Sequence, residues 1–117
     1  MKAVSEGAKT GGGLSIGLLP SKTSEACPAI DIVIITDINN ARNNLIGLSS
    51  NVVIACGIDG PGTASEVALA LKNDKKVILL DVDDAAKAFF VRLGGDKVFL
   101  AANPEEAVTI IKDHKLC

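Results

Sequence analysis

The chain has 117 residues, 48% of them apolar, and a formal charge of -2 from 12 basic and 14 acidic side chains. That length holds one domain with a real core and leaves no room for a second, and the balanced charge gives no basic excess for a nucleic acid backbone. With no Trp or Tyr and only three Phe, the chain lacks an aromatic platform for stacking bases.

Cys27, Cys56 and Cys117 are odd in number and widely spaced, which predicts neither a disulfide framework nor a zinc clip, and fits a reducing, cytoplasmic setting. Cys56 ends an apolar run and reads as a small buried hydrophobe. No apolar run reaches the length of a membrane-spanning helix, and Met1 to Lys9 lacks the apolar core of a secretory signal.

Taken in chain order, the pattern alternates amphipathic helical segments with short β-branched runs. Met1 to Lys9 reads as a helix, predicted over Lys2 to Lys9 and closed by Gly11, Gly12 and Gly13. Strands are predicted at Leu14 to Leu19 and Asp31 to Thr36, separated by the polar loop Ser21 to Pro28. A helix over Asn40 to Ser49 leads to a strand over Asn51 to Cys56. The helix predicted over Thr63 to Asn73 carries Val67 and Leu71 on one stripe with Ala64 and Ala68 beside it. A strand at Lys76 to Leu80 and a helix over Asp84 to Leu93, capped by Asp83 or Asp84 and ended by Gly94 and Gly95, come next. The last pair is a strand at Lys97 to Ala101 and a helix over Pro104 to His114, entered through Asn103 with Glu105 and Glu106 in its first turn.

This alternation predicts an α/β fold: an open, Rossmann-like parallel sheet of about five strands with helices on both faces. The near-continuous apolar strands imply that both faces are covered. An open doubly wound sheet normally starts with a strand, whereas this chain starts with a helix. The expectation is a single domain over residues 1–117, shortened at its amino terminus, or else a neighbouring subunit over the exposed sheet edge, hence a homodimer or higher homo-oligomer.

Residues 57–66, Gly-Ile-Asp-Gly-Pro-Gly-Thr-Ala-Ser-Glu, join a strand directly to a helix. Main-chain N–H groups at a helix start converge on an anion and the helix dipole favours negative charge there, so Gly57, Gly60, Gly62 and Thr63 are candidate phosphate-binding residues. The alternative reading is an ordinary tight turn. The spacing is neither the lysine-containing phosphate loop nor the dinucleotide fingerprint. Glu66, three residues after Thr63, has two readings: partner in a capping box with Thr63, or a carboxylate for a ribose hydroxyl or for proton transfer.

Arg42 opens the helix that follows the second strand, and a guanidinium there clamps phosphate or is a solvated surface charge. Asn39, Asn40, Asn43 and Asn44 read as turn and capping residues, with ligand contact the lesser reading. Ser21 and Thr23, with Ser24 and Glu25, follow a strand end and offer hydroxyls to the same ligand or to water. Asp81, Asp83 and Asp84 favour helix capping over a metal, and no directly bound metal is expected. His114 has no catalytic partner at recognisable spacing.

Gly60 to Glu66, with Ala41-Arg42-Asn43 and the opening Ser5 to Gly13 leading into Ile16 to Pro20, resemble the LOG-like family, Rossmann-type proteins also described as lysine decarboxylase-like. The family pattern P-G-G-x-G-T-x-x-E is matched at Gly60, Gly62, Thr63 and Glu66, while Ile58 and Asp59 stand where Pro and the first Gly belong. Within that family, Ser49 to Val53 before the turn and Glu66 to Lys72 after it look most like molybdenum cofactor carrier proteins. The likeness covers about residues 3 to 81. It implies a carrier or storage protein holding the phosphate of a pterin cofactor, molybdenum cofactor, at the glycine turn without turnover. Resemblance to the LOG enzymes instead implies hydrolysis of the N-glycosidic bond of a nucleoside 5'-monophosphate, with Arg42 and Glu66 as the catalytic pair. A third reading is a shortened paralogue that binds nothing. Asp59 beside a phosphate is repulsive unless it points away or binds a cation.

Overall fold

The computed structural model describes residues 2–117, which form five α-helices and five β-strands in two compact units, one ending at Arg42 and the other running Asn43–Cys117.

In the first unit, α1 (Lys2–Thr10) is closed by hydrogen bonds from the Gly11 amide to the Gly7 carbonyl and from the Gly13 amide to the Ala8 carbonyl, with Gly12 between them in the left-handed region at φ +74°. β1 (Ile16–Leu19) and β2 (Ile32–Ile35) pair in parallel, Ile16 opposite Ile32 and Leu19 opposite Ile35. Ser15 sets that register. Its amide and hydroxyl donate to Asp31 Oδ2 at 3.0 and 2.9 Å, and its carbonyl accepts from the amides of Asp31 and Ile32. These bonds, from the Ser15 amide first and its hydroxyl second, hold the Asp31 carboxyl below the usual carboxylate range, and Lys9 at 3.3 Å adds to the effect. At the other end, the amide and hydroxyl of Thr36 both donate to the Leu19 carbonyl.

The expectation that both strand faces are covered fails here. Ile32, Val33, Ile34 and Ile35 are all exposed, from 42% to 53%. Among the described residues, α1 is the unit's sole complete α-helix, and a two-stranded sheet has two faces and two edges to hide.

The second unit is a parallel sheet in the order β3-β4-β5: β3 (Val52–Cys56), β4 (Lys76–Leu80) and β5 (Val98–Ala101). β4 is central and its residues alternate between two cores. Val77 and Leu79 pack with Val67, Ala70 and Leu71 of α3 (Pro61–Lys72) and Phe90 of α4 (Asp84–Gly94). Ile78 packs on the other face with Ala101 and with Ala107 of α5 (Pro104–Asp113). Helices therefore cover both faces of this sheet, and the small residue buried in α3 is Ala70, whereas the predicted Ala68 is exposed. Close helix packing explains the exchange: a Cβ on Gly47 of α2 (Arg42–Ser49) would lie 3.5 Å from the Ala70 backbone.

Element ends follow their caps. The Asp83 carboxylate accepts from the amides of Ala85 and Ala86. Asn103 Oδ1 accepts from the Glu106 amide, and Glu106 Oε2 returns the bond by accepting from the Ala102 amide. Helix α2 is entered through a 3-10 turn over Asn39–Ala41, so the regular helix begins two residues after the predicted start. His114 packs against the Phe99 ring at 4.6 Å between centroids. Cys56 is exposed, a correction with a simple cause: Ala55 points into the core, so its neighbour on the strand faces the other way.

Candidate functional site

β3 ends at Cys56 and the chain turns at Gly57, whose φ of +71° favours glycine and whose amide donates to the Leu80 carbonyl at 2.9 Å, tying the turn to the end of β4. Ile58 packs onto the core, anchoring the turn from beneath. Asp59 folds back over Gly57: a Cβ there would sit 3.6 Å from Asp59 Oδ2.

Helix α3 begins earlier than the sequence predicts. Gly60 is its N-cap in extended backbone and Pro61 its first helical residue, which suits a ring with fixed φ and no N–H. Thr63 is consequently inside the first turn, and no capping box forms between it and Glu66, because no side chain caps this helix. The first intrahelical bond is from the Ala64 amide to the Gly60 carbonyl at 3.3 Å. Among the described residues, nothing accepts from the amides of Gly62 and Thr63. Two free donors thus stand at the positive end of a 12-residue helix.

Internal packing does not call for glycine at Gly60 or Gly62. A Cβ at either position would meet nothing within 4 Å, and neither residue has the positive φ of Gly57. Open space over two free amides is what close approach of an anion requires.

Glu66 is half-buried and makes no hydrogen bond or ion pair with the described residues. The first turn of α3 is braced from α2: Asn43 Nδ2 donates to Ser65 Oγ at 2.9 Å, and Ser65 Oγ donates to the Gly62 carbonyl at 2.7 Å. Beside the turn, along the carboxyl ends of the three strands, lies an open cavity of about 440 Å³ lined by Gly57, Asp59, Leu80, Asp81 and Asn103. No three His, Cys, Asp or Glu side chains among the described residues come together as a metal site.

The candidate residues therefore divide. Gly57, Gly60, Gly62, Thr63 and Glu66 are brought together by the turn and α3 of the second unit. Ser21 and Thr23 belong to the first unit, where the Ser21 hydroxyl lies 3.1 Å from that of Thr23 and 3.0 Å from that of Ser24, closing the loop after β1 on itself. Arg42 ends the first unit; its Nε is enclosed without a hydrogen-bond partner among the described residues. The sequence carries no signal for the Asn43–Ser65 contact: one asparagine among four close neighbours bears no mark of which is buried.

The SLOG cluster4 family model matches residues 1–108. A protein of Archaeoglobus fulgidus is 42% identical over 108 residues, 92% of this chain and 65% of that protein, so the chain spans about two thirds of its relative's length. Among solved structures, the molybdenum cofactor binding protein of Rippkaea orientalis matches with a TM-score of 0.90 and 52% identity, over 98% of this chain and 71% of that one. The molybdenum cofactor carrier protein of Chlamydomonas reinhardtii matches with a TM-score of 0.84 and 48% identity, over 93% of this chain and 67% of that one. The α/β, Rossmann-like fold read from the alternating pattern is the fold of these proteins. No helix among the described residues is long and apolar enough to cross a membrane. The chain belongs to the SLOG cluster4 family.

Proposed function

We propose that this chain is a molybdenum cofactor carrier-like binding protein, holding the phosphate of the cofactor on the free amides of Gly62 and Thr63. The observation that carries the reading is the pair of unengaged N–H groups beneath glycines that internal packing does not demand, in a chain about half identical to proteins that bind or carry this cofactor. The residues fit a phosphate: helix dipole and amide donors stabilise the anion, and the Thr63 hydroxyl is a third donor at the same turn. Asp59 folds back towards Gly57, and its carboxylate is the one element of the turn that repels an anion at close range.

The cofactor itself brings a pterin and molybdenum; the chain's part is to bind the phosphate. The cavity at the strand ends, with its carboxylates at Asp59 and Asp81, offers acceptors to the N–H edge of a heterocycle. Arg42, Ser21 and Thr23 are proposed as cofactor contacts in their own right, which Arg42→Ala and Ser21→Ala test one at a time by loss of cofactor affinity. Association of copies into a homodimer is a further part of the proposal, read by light scattering. Cytoplasmic residence belongs to it as well, and cell fractionation checks it.

Anaerobic gel filtration with molybdenum cofactor tests the reading: the cofactor is expected to elute with the protein and then restore a cofactor-free nitrate reductase. Elution of all cofactor in the small-molecule fraction would overturn it. The competing hydrolase reading needs Glu66 to move a proton. Incubation with adenosine monophosphate is expected to release no adenine, and release that is lost in Glu66→Gln would establish that reading instead.

A further inference from the structure

Asn43 is a buried polar residue, 4% exposed, at the start of α2, and the cradle reading leaves it without a role. Its surroundings supply one. The Ser65 hydroxyl gives its only proton to the Gly62 carbonyl at 2.7 Å, so at 2.9 Å from Asn43 Nδ2 it must accept. That fixes the orientation of the Asn43 amide: nitrogen towards Ser65, Oδ1 away. Asn43 Oδ1 is buried with no partner among the described residues. A buried amide satisfied at one end and unsatisfied at the other is a poor device for stability, since an apolar residue leaves nothing unpaired.

The end of this relay is the peptide group that matters to an anion. The Gly62 carbonyl and the Thr63 N–H belong to one planar unit and point in opposite directions across it. Holding the oxygen through Ser65 therefore aims the Thr63 amide, one of the two free donors at the head of α3.

We propose that Asn43 is a positioning residue of the anion site: acting through Ser65, it fixes the Gly62–Thr63 peptide plane so that the Thr63 N–H is aimed before the anion arrives. Asn43 itself touches no anion. The inference rests on the cradle reading and adds to it a preorganisation carried by residues outside the glycine motif.

The test uses the full chain, labelled with nitrogen-15 and titrated with inorganic phosphate, following the amide signals of Gly62 and Thr63. Asn43→Ala and Ser65→Ala are each expected to weaken phosphate binding about tenfold and to shift the Thr63 amide signal before any phosphate is added. Ser65→Thr, which keeps the hydroxyl, is expected to bind phosphate like the parent. Asn73→Ala is the control, because Asn73 Nδ2 donates to Asn44 Oδ1 at 2.9 Å and so joins the same two elements away from the turn. It is expected to lower the thermal midpoint while leaving phosphate affinity unchanged. If Asn43→Ala does not fold, Ser65→Ala at its half-buried site decides. Phosphate affinity in Ser65→Ala no weaker than in Asn73→Ala would overturn the positioning role with the cradle intact. Absence of any saturable shift at Gly62 and Thr63 in the parent chain would overturn the cradle and this inference together.

Discussion

β2 and β4 are close in composition and opposite in circumstance. Ile-Val-Ile-Ile of β2 is exposed along its whole length, while Val77, Ile78 and Leu79 of β4 are completely enclosed. The difference lies in what each strand's own unit supplies. β4 has a strand on each edge, α3 and α4 over one face and α5 over the other, whereas among the described residues β2 has one partner strand and a unit with a single complete α-helix. Apolar side chains state a demand for cover; the elements that follow in the chain decide whether it is met.

The largest effect should come from the enclosed strand. Leu79→Ala is expected to destabilise the second unit by about 3 kcal/mol through lost burial and a cavity, and Ile34→Ala by about 1 kcal/mol or less, since Ile34 is already 45% exposed. Equal shifts in urea denaturation would contradict the contrast. Hydrogen exchange should sharpen it further: the β4 amides are expected to be protected orders of magnitude longer than those of β2, and matching exchange rates would remove the distinction.

A second contrast separates two kinds of glycine at the turn. Gly62→Ala should leave the fold intact and stabilise α3 by roughly 0.5–1 kcal/mol, as alanine does inside helices, while weakening phosphate binding through the methyl placed over the free amides. Gly57→Ala should instead destabilise, because φ there is +71°. Thermal midpoints and phosphate titrations of both variants check this, and a Gly62→Ala protein that binds as well as the parent would return that glycine to a plain helix position.

The smallest effects are electrostatic. The Lys97 ammonium hydrogen-bonds Asp74, which raises the lysine and lowers the carboxyl. A raised lysine contributes stability in full below its ordinary pKa and loses it as pH rises through the folded value. The lowered carboxyl contributes above its ordinary pKa and loses it as pH falls through the folded value. Asp31 in the first unit, lowered chiefly by Ser15, follows the same acid limb. Asp74→Asn is expected to flatten both limbs slightly in a pH series of thermal midpoints, since the Asp74 end of the pair is solvent-exposed and water screens it; unchanged limbs would show that the pair contributes nothing.

Much of the architecture was legible because each element carried its own punctuation. Asn103 with Pro104 and Glu106, and Asp83 before α4, mark helix starts that the structure places at the same residues. The errors have equally local causes. Pro61 moved the start of α3 ahead of Thr63 and removed the capping box, although a proline at a first helical position is itself a start signal. For Cys56, the apolar run it ends suggests burial, whereas strand alternation from the buried Ala55 gives the opposite face. For β2, hydrophobicity told what the strand requires and not what the unit provides. Asn43 lay beyond reach because its meaning is tertiary: only the packing of α2 on α3 selects it from its neighbours and sets it against Ser65.

The central claim is that the free amides at the head of α3 hold the anionic group of the ligand. A crystal structure of the chain with a phosphorylated pterin tests it most directly. Phosphate oxygens are expected about 3 Å from the amide nitrogens of both Gly62 and Thr63. A phosphate seated elsewhere, with those two amides open to water, would contradict it.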